Sequence, residues 1–437
     1  MSDYSDKIIT VDQALDMVSS GMRITAAMAA SQPQAFFSRL HTIADRVEDV
    51  TVTCCLPTIE FEFMRERYLR KSFILHSLFH SPLLRRLSPG SRVSYVPNCL
   101  HYAGRKRNDA VQTDIFIASA SMPSPDGYVY ISSSNEYETV ICEKARKIIF
   151  ECSPNIPSVR GDSRVPLEKV DHIIICDYRL PELPDARLND KDMKIGALIS
   201  DLIHDGDTIQ VGIGGIPNAV CESIMNKKDL GAHTEMMTTG IMRLMKAGAV
   251  NGSRKNIEPG KVVFAFAFGT RELYDFMDGN DSLLMRSGAW VNDPMVVGLN
   301  DNMVSINTTV EIDLTGQCCS ESVGPRQISG TGGACDMAAG AQRSKNGRSI
   351  VALYSTVMAA GTRGGQAREQ SKIVQSLKPG AAVSIQRNDV DWVVTEYGAV
   401  NLRGQDICTR AKRLISIAHP MFREELTAAA REFGYIY

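Results

Sequence analysis

Three stretches in the second half of this 437-residue chain set small residues and a carboxylate at points where strands should give way to helices. The first, VGIGGIPNAV at 211–220, has glycines at Gly212, Gly214 and Gly215 that let a ligand approach the backbone, ahead of a helix start whose free N–H groups suit an oxyanion or a phosphate. It is not a nicotinamide-binding fingerprint, because Pro217 stands where G-x-G-x-x-G requires its last glycine. The second, SGTGGACD at 329–336, offers Gly330, Gly332 and Gly333 as another cradle of backbone donors before Asp336, a residue suited to capping the helix that follows. The third, GAHTEMMTTG at 231–240, places Glu235 just after an expected short strand, Ala232–Thr234, and Glu396 in VVTEYG ends another apolar run in the same way. A carboxylate in such a place is either a solvated turn residue or a nucleophile toward an acyl carbon, and the neighbouring residues alone leave both readings open. The basic stretch GTRGGQAREQSK at 361–372 is similarly a solvated loop or a lid that holds phosphates through Arg363, Arg368 or Lys372.

The elements that must carry these turns are read from an internal echo. Residues 12–40 and 197–225 both open with helix-spaced apolar residues and reach a glycine, Gly21 or Gly206, expected to end the helix. Each then runs through a short apolar strand to small residues and a proline, Pro33 or Pro217, expected at the first position of a second helix. Two copies of one helix–strand–turn–helix opening imply two α/β domains of similar construction. Strand-like runs at Asp114–Ala118, Lys147–Glu151, His172–Cys176, Lys261–Phe266, Met303–Asn307, Ser349–Leu353 and Trp392–Thr395 alternate with helical stretches or turns, which favours largely parallel sheets. The charged, proline-bearing segment after Cys176 has a linker's composition, so the domains are expected at 1–190 and 191–437. In open sheets of this kind ligands gather at the carboxyl ends of strands, where all three glycine or glutamate turns fall.

Composition excludes several classes of function. With 44% hydrophobic and 22% charged residues the chain reads as an ordinary globular protein. A formal charge of -2 supplies no field for nucleic acid or an anionic membrane, so any anion must be bound locally. The N-terminal MSDYSDKIITVDQAL lacks the basic and apolar regions of a signal peptide, and a cytoplasmic location is expected. Eleven cysteines without a C-x-x-C pair, and eight histidines without ligand spacing, read as reduced thiols with neither metal nor disulfide.

In order along the chain, VGIGGIPNAV, LGAHTEM, SINTTVEIDLTGQ, SGTGGACD, RNDVDWVVTEYGAVNLRG and LISIAHPMFREEL resemble the acetyl-CoA hydrolase/transferase family, which includes 4-hydroxybutyrate and butyrate CoA-transferases. The resemblance covers essentially the whole chain and implies two tandem NagB/RpiA-like α/β domains, a homodimer or homotetramer, and no permanently bound cofactor, with a coenzyme A thioester as substrate. It implies that Glu235 is the covalent nucleophile, that the Ile213 N–H and the Asn307 side chain hold the glutamyl oxygen, and that Gly332 and Gly333 face the substrate's acyl oxygen. Glu396 matches a carboxylate near the thioester. Transfer between an acyl-CoA donor and a carboxylate acceptor of about C4 size, such as 4-hydroxybutyrate, butyrate, acetate, succinate or itaconate, is the activity expected. The alternatives are an acetyl-CoA hydrolase and a non-catalytic effector-binding protein on the same fold.

A carboxylate nucleophile needs no general base, because an ordinary glutamate with a pKa of about 4.3 is ionised at pH 7, and no Ser-His-Asp set is then required. Two departures from the family bear on substrate and lid. The first-domain turn reads AAMAASQPQ, with Met28, Ser31 and Gln32 expected along the acyl wall, and SKIVQ replaces S-R-I-V-P after a longer glycine-rich loop.

Overall fold

The chain builds the same sheet twice. The computed structural model describes residues 4–87, 91–131, 133–359 and 366–437. In the first unit β1 (Arg23–Ala26), β2 (Val50–Cys54), β3 (Phe73–Ser77), β4 (Val93–Tyr95), β5 (Ile115–Ala120), β6 (Lys147–Cys152) and β7 (His172–Ile175) lie in the order β4-β3-β2-β1-β5-β6-β7, every neighbouring pair parallel. In the second, β8 (Thr208–Val211), β9 (Gly231–Met237), β10 (Val262–Ala267), β11 (Leu283–Met285), β12 (Met303–Thr308), β13 (Arg348–Ala352) and β14 (Trp392–Thr395) repeat that order as β11-β10-β9-β8-β12-β13-β14. An antiparallel β15 (Gly398–Asn401) is added at the edge. The α/β architecture with largely parallel sheets expected from the sequence is therefore present.

The echoed openings are the first elements of each unit. Helix α1 (Val11–Asp16) leads to β1 and then α2 (Gln34–Arg39); between β4 and β5 runs α3 (Leu100–Ala110). In the second unit α4 (Asp190–Ser200) leads to β8 and then α5 (Gly215–Ser223). Two details differ from expectation. Gly21 and Gly206 do have positive φ, +75° and +85°, but they turn the chain into β1 and β8 several residues after the helices have ended. Pro33 caps α2 from outside, whereas Pro217 is the third residue of α5, a position whose N–H also lacks an intrahelical acceptor.

The units are joined by backbone as well as by packing. Asn135 N–H donates to Ala265 O of β10 at 2.7 Å, and Gly161 forms a bridge with Met285 of β11, so the first unit extends the far side of the second sheet. A Cβ on Gly161 would stand 1.8 Å from Met285 O, which only glycine avoids. One apolar cluster runs from Met28, Leu78 and Tyr137 of the first unit to Ile209, Met236 and Phe266 of the second. Among the described residues no helix is long and apolar enough to cross a membrane.

Candidate active site

Strand order in the second sheet reverses between β8 and β12, and parallel sheets open a crevice at such a switch point. The loop Gly212–Gly214 leaves β8 on one side of it, and Asn307 lies near the end of β12 on the other. The adjacent strand β9 pairs with β8 only at Gly231 and Ala232, while its pairing with β10 continues to Met237. Glu235 sits in the resulting split. It therefore lies inside a strand rather than after one: the expected Ala232–Thr234 strand continues to Met237 because β10 still supplies a partner, and Thr238 then caps α6 (Thr239–Lys246) with its hydroxyl.

Around Glu235 is a cavity of about 180 Å³ lined by Met28, Leu56 and Phe79 of the first unit and by Gly212, Ile213, Asn307, Gly330, Gly332 and Gly333 of the second. The Glu235 Oε2 accepts a 2.9 Å hydrogen bond from Asn292 Nδ2, at the end of α7 (Gly288–Val291), and the Gly333 backbone N–H bonds to the same carboxyl group. Burial, joined by the charge of Asp336, pushes the carboxyl up to about 7 against those two donors. This corrects the ordinary ionised glutamate expected from sequence: the half-buried carboxyl shares its cavity with Met28, Leu56, Phe79 and Phe266, and burial disfavours its charge. Glu136 stands in the same acidic neighbourhood with both oxygens buried and unpartnered, and burial followed by Glu235 raises it well above the carboxylate range. His233, two residues before Glu235, offers no base, since burial pushes it down to about 3 and its Nε2 meets Val291 O at 2.8 Å.

The donors expected around Glu235 converge in part. A Cβ on Gly333 would fall 2.0 Å from Glu235 Oε2 and one on Gly332 3.9 Å from Oε1, so both glycines lie against the carboxylate. Ile213 is 41% exposed at the cavity mouth. Asn307 is locked by Gln210 of β8, whose Oε1 accepts from its Nδ2 at 3.3 Å. The 329–333 loop is held from the first unit: Phe79 packs on Gly330, His80 N–H donates to Ser329 O at 3.4 Å, and the Thr331 N–H donates to the Tyr95 hydroxyl at 3.2 Å.

Other expected residues lie elsewhere. Gly214 borders a neighbouring cleft with Asn218 and Thr239, and Gly215 packs on the Asp192 carboxylate, where a Cβ would come within 2.6 Å. Glu396 is outside the Glu235 cavity: it accepts from Ser355 N–H and Oγ, both at 2.8 Å, and pairs with Lys191 at 3.1 Å. Those bonds, against the opposing effect of burial, leave its carboxyl below the usual range. Lys372 faces the same cluster, 5.8 Å from the Tyr354 ring, and burial lowers its ammonium to about 8. Arg368 opens an exposed strand paired with Ala359, while Arg363 lies outside the described residues. Of the Met28–Gln32 wall only Met28 lines the cavity. Ser31 turns to the Ser133 hydroxyl and Gln32 accepts from Thr58, because the Ala29–Ser31 turn folds them into the first unit. Asp336 is not the cap of its helix α8 (Ala334–Arg343), whose N-cap is Gly333; its side chain crosses to His101.

Asn292, Gln210 and Phe79 were missed by sequence reasoning. Gln210 lies within a strand and Phe79 just after one, while Asn292 opens an Asn-Asp-Pro turn, and each reaches the site only through the tertiary fold.

The acetyl-CoA hydrolase/transferase N-terminal domain model matches residues 1–181 and the C-terminal domain model residues 269–430. The chain is 37% identical to 4-hydroxybutyrate coenzyme A transferase of Clostridium kluyveri, covering 97% of each. It is 38% identical to succinyl-CoA:cyclohexane-1-carboxylate CoA transferase of Geobacter metallireducens, over 99% of this chain and 97% of that one. The crystal structure of RipA from Yersinia pestis superposes with a TM-score of 0.91 at 33% identity, covering 99% of both chains.

Proposed function

Because the chain belongs to the acetyl-CoA hydrolase/transferase family and is a CoA-transferase, we propose that it moves coenzyme A between two short monocarboxylic acids through covalent intermediates on Glu235. The observation that carries this reading is the position of Glu235. Its carboxylate is held by Asn292 and the Gly333 N–H, has no cationic partner among the described residues lining its cavity, and shares that cavity with Ile213, Asn307 and Gly332.

The chemistry follows from that placement. Glu235 attacks the thioester carbonyl, the C–S bond breaks, and a mixed anhydride and the CoA thiolate result. The thiolate then attacks the glutamyl carbonyl, releasing the first acid as its carboxylate and leaving a glutamyl-CoA thioester. The incoming carboxylate reverses both steps. Each addition builds a tetrahedral oxyanion, and a preorganised donor to such an oxygen is worth about 3 kcal/mol. The Gly332–Gly333 backbone serves the oxygen of the bound acyl group and the Ile213 N–H with Asn307 serves that of the glutamyl group. A carboxylate raised to about 7 is a stronger nucleophile than an ordinary one while still substantially ionised at neutral pH.

The acyl wall of Met28, Leu56, Phe79 and Phe266 supports the choice of acid. No Lys, Arg or His is among the described lining residues, so the second carboxylate of succinate or itaconate would be buried without a partner, at a cost of several kcal/mol. Ser320 and Ser329 also line the cavity and can accommodate a terminal hydroxyl. With acetyl-CoA as donor, butyrate or 4-hydroxybutyrate should turn over at least tenfold faster than succinate (about 1.4 kcal/mol); equal rates would remove the monocarboxylate reading. CoA release in water as fast as with the best acid would replace transfer by hydrolysis.

A further inference from the structure

Beside the 329–333 loop, two cysteines face each other across the junction of the units. Cys99 precedes the first residue of α3, Cys335 is the second residue of α8, and their sulfurs are 3.5 Å apart although 236 positions separate them. Cys335 Sγ lies 3.6 Å from Asp336 Oδ1, and the three donor atoms all fall within 4.8 Å of one another. His101 Nδ1 is 2.8 Å from the same Asp336 oxygen, and the His101 N–H donates to Oδ2 at 3.3 Å.

We infer that Cys99, Cys335 and Asp336 form a binding site for a soft divalent cation of the zinc class, which ties the two units together beside the active-site loop. The distances carry this. Two thiolates at about 2.3 Å from a tetrahedral centre lie about 3.8 Å apart, and a thiolate and a carboxylate about 3.5 Å apart, close to the separations already present. A disulfide would instead need the sulfurs to approach to about 2.05 Å, drawing two helices of different units together. His101 is placed as the outer partner that fixes the ligating carboxylate. It also lines a surface cavity of about 600 Å³ with Arg105, Asn108 and Asp293, which gives a cation access from solvent. Both cysteines are partly accessible rather than core thiols. Binding converts M²⁺ and two thiols into a dithiolate complex and two released protons, so the only co-reactants are the cation and water as proton acceptor. The place matters because Gly332 and Gly333, the donors against Glu235, lead directly into α8: a cation would fix that helix start to α3 and hence the donors to the first unit.

This departs from the expectation of no metal, and the reason is physical. Ligand spacing in sequence reveals sites built on one hairpin or helix, whereas this one is assembled by two helices from different units.

The test uses full-length protein reduced and stripped with a chelator, then titrated with Co²⁺ and separately with Zn²⁺. The expected result is one equivalent of Co²⁺ giving a thiolate-to-metal charge-transfer band with the visible bands of tetrahedral cobalt, and a Tm raised by Zn²⁺. Cys99→Ser and Cys335→Ser should each weaken Co²⁺ binding on the order of a hundredfold, while Cys408→Ser should bind as the parent does. Absence of the charge-transfer band, equal binding by Cys99→Ser, or a Cys99–Cys335 disulfide in place of a Co²⁺ complex each overturn the proposal. None of these results depends on Glu235, so the site stands or falls separately from the transfer chemistry.

Discussion

Replacing Gly333 by alanine should cripple transfer while leaving the protein folded. A Cβ at this position would stand 2.0 Å from Glu235 Oε2 and 2.5 Å from Asn292 Nδ2, and no backbone crowds it. Carbon and oxygen in contact need about 1 Å more than that, so the carboxylate must swing away and surrender the Gly333 N–H bond, the Asn292 bond, or both. Displacing a nucleophile by about 1 Å costs roughly 10²-fold, so kcat should fall by about 10²-fold or more. The residue's φ is negative, so the backbone itself accepts alanine, and Tm should change little. Gly332→Ala is the contrast. Its φ of +59° strains any side chain, yet its Cβ would meet Glu235 only at 3.9 Å, so stability should fall by about 1 kcal/mol with a smaller loss of rate. Single-turnover rates of CoA release from butyryl-CoA, with thermal melts of each variant, decide the matter. A Gly333→Ala enzyme within threefold of the parent would refute the placement of this glycine against the reacting carboxylate.

Other outcomes follow from the same geometry. If the ionised form of Glu235 attacks, kcat/KM should rise with pH through about 7 and level off above it, and a profile flat from pH 5.5 to 8.5 would contradict the raised carboxyl. The stability consequence has a definite sign: a carboxyl raised above its unfolded value binds more protons when folded, so its contribution is complete below about 4.5 and is lost as pH rises through about 7. Glu235→Gln should therefore melt higher than the parent at pH 8 and converge with it toward pH 5; a lower Tm at pH 8 would speak against the shift. Asn292→Ala, which removes the 2.9 Å bond to Oε2, should lower kcat about tenfold to a hundredfold and move the pH midpoint upward, read from the same profile. Gly161→Ala, whose Cβ would meet Met285 O at 1.8 Å, should lower Tm by several degrees through the joint between the units, and an unchanged Tm would show that joint to be dispensable.

Much of this arrangement is legible in the residues themselves. The repeated opening gives two units because its apolar spacing, glycine and proline recur in one order, and the strand runs fall close to β5, β6, β7, β10, β12, β13 and β14 since each is a short apolar stretch bounded by turn residues. The environment of Glu235 is less legible. Its strand extends past it because of pairing with β10, a long-range fact, and its raised pKa comes from burial in a cavity that Met28, Leu56 and Phe79, roughly 150 to 200 positions upstream, help to line. Asn292 shows no catalytic signature in sequence, for it is an asparagine after a four-residue helix. Gly215 has the reverse character: a glycine in a suggestive motif whose place is explained by the Asp192 carboxylate against it. Glu396 ends its strand as expected, yet Ser355 and Lys191 claim its oxygens, which only the neighbouring strand and α4 could reveal.

The central claim is the covalent role of Glu235, and trapping the intermediate tests it most directly. Enzyme incubated with butyryl-CoA and no acceptor should carry CoA on the peptide containing Glu235, and borohydride should reduce that thioester to an alcohol and abolish activity, both measured by peptide mass. An adduct on another residue, or full activity after borohydride treatment in the presence of butyryl-CoA, would contradict the account.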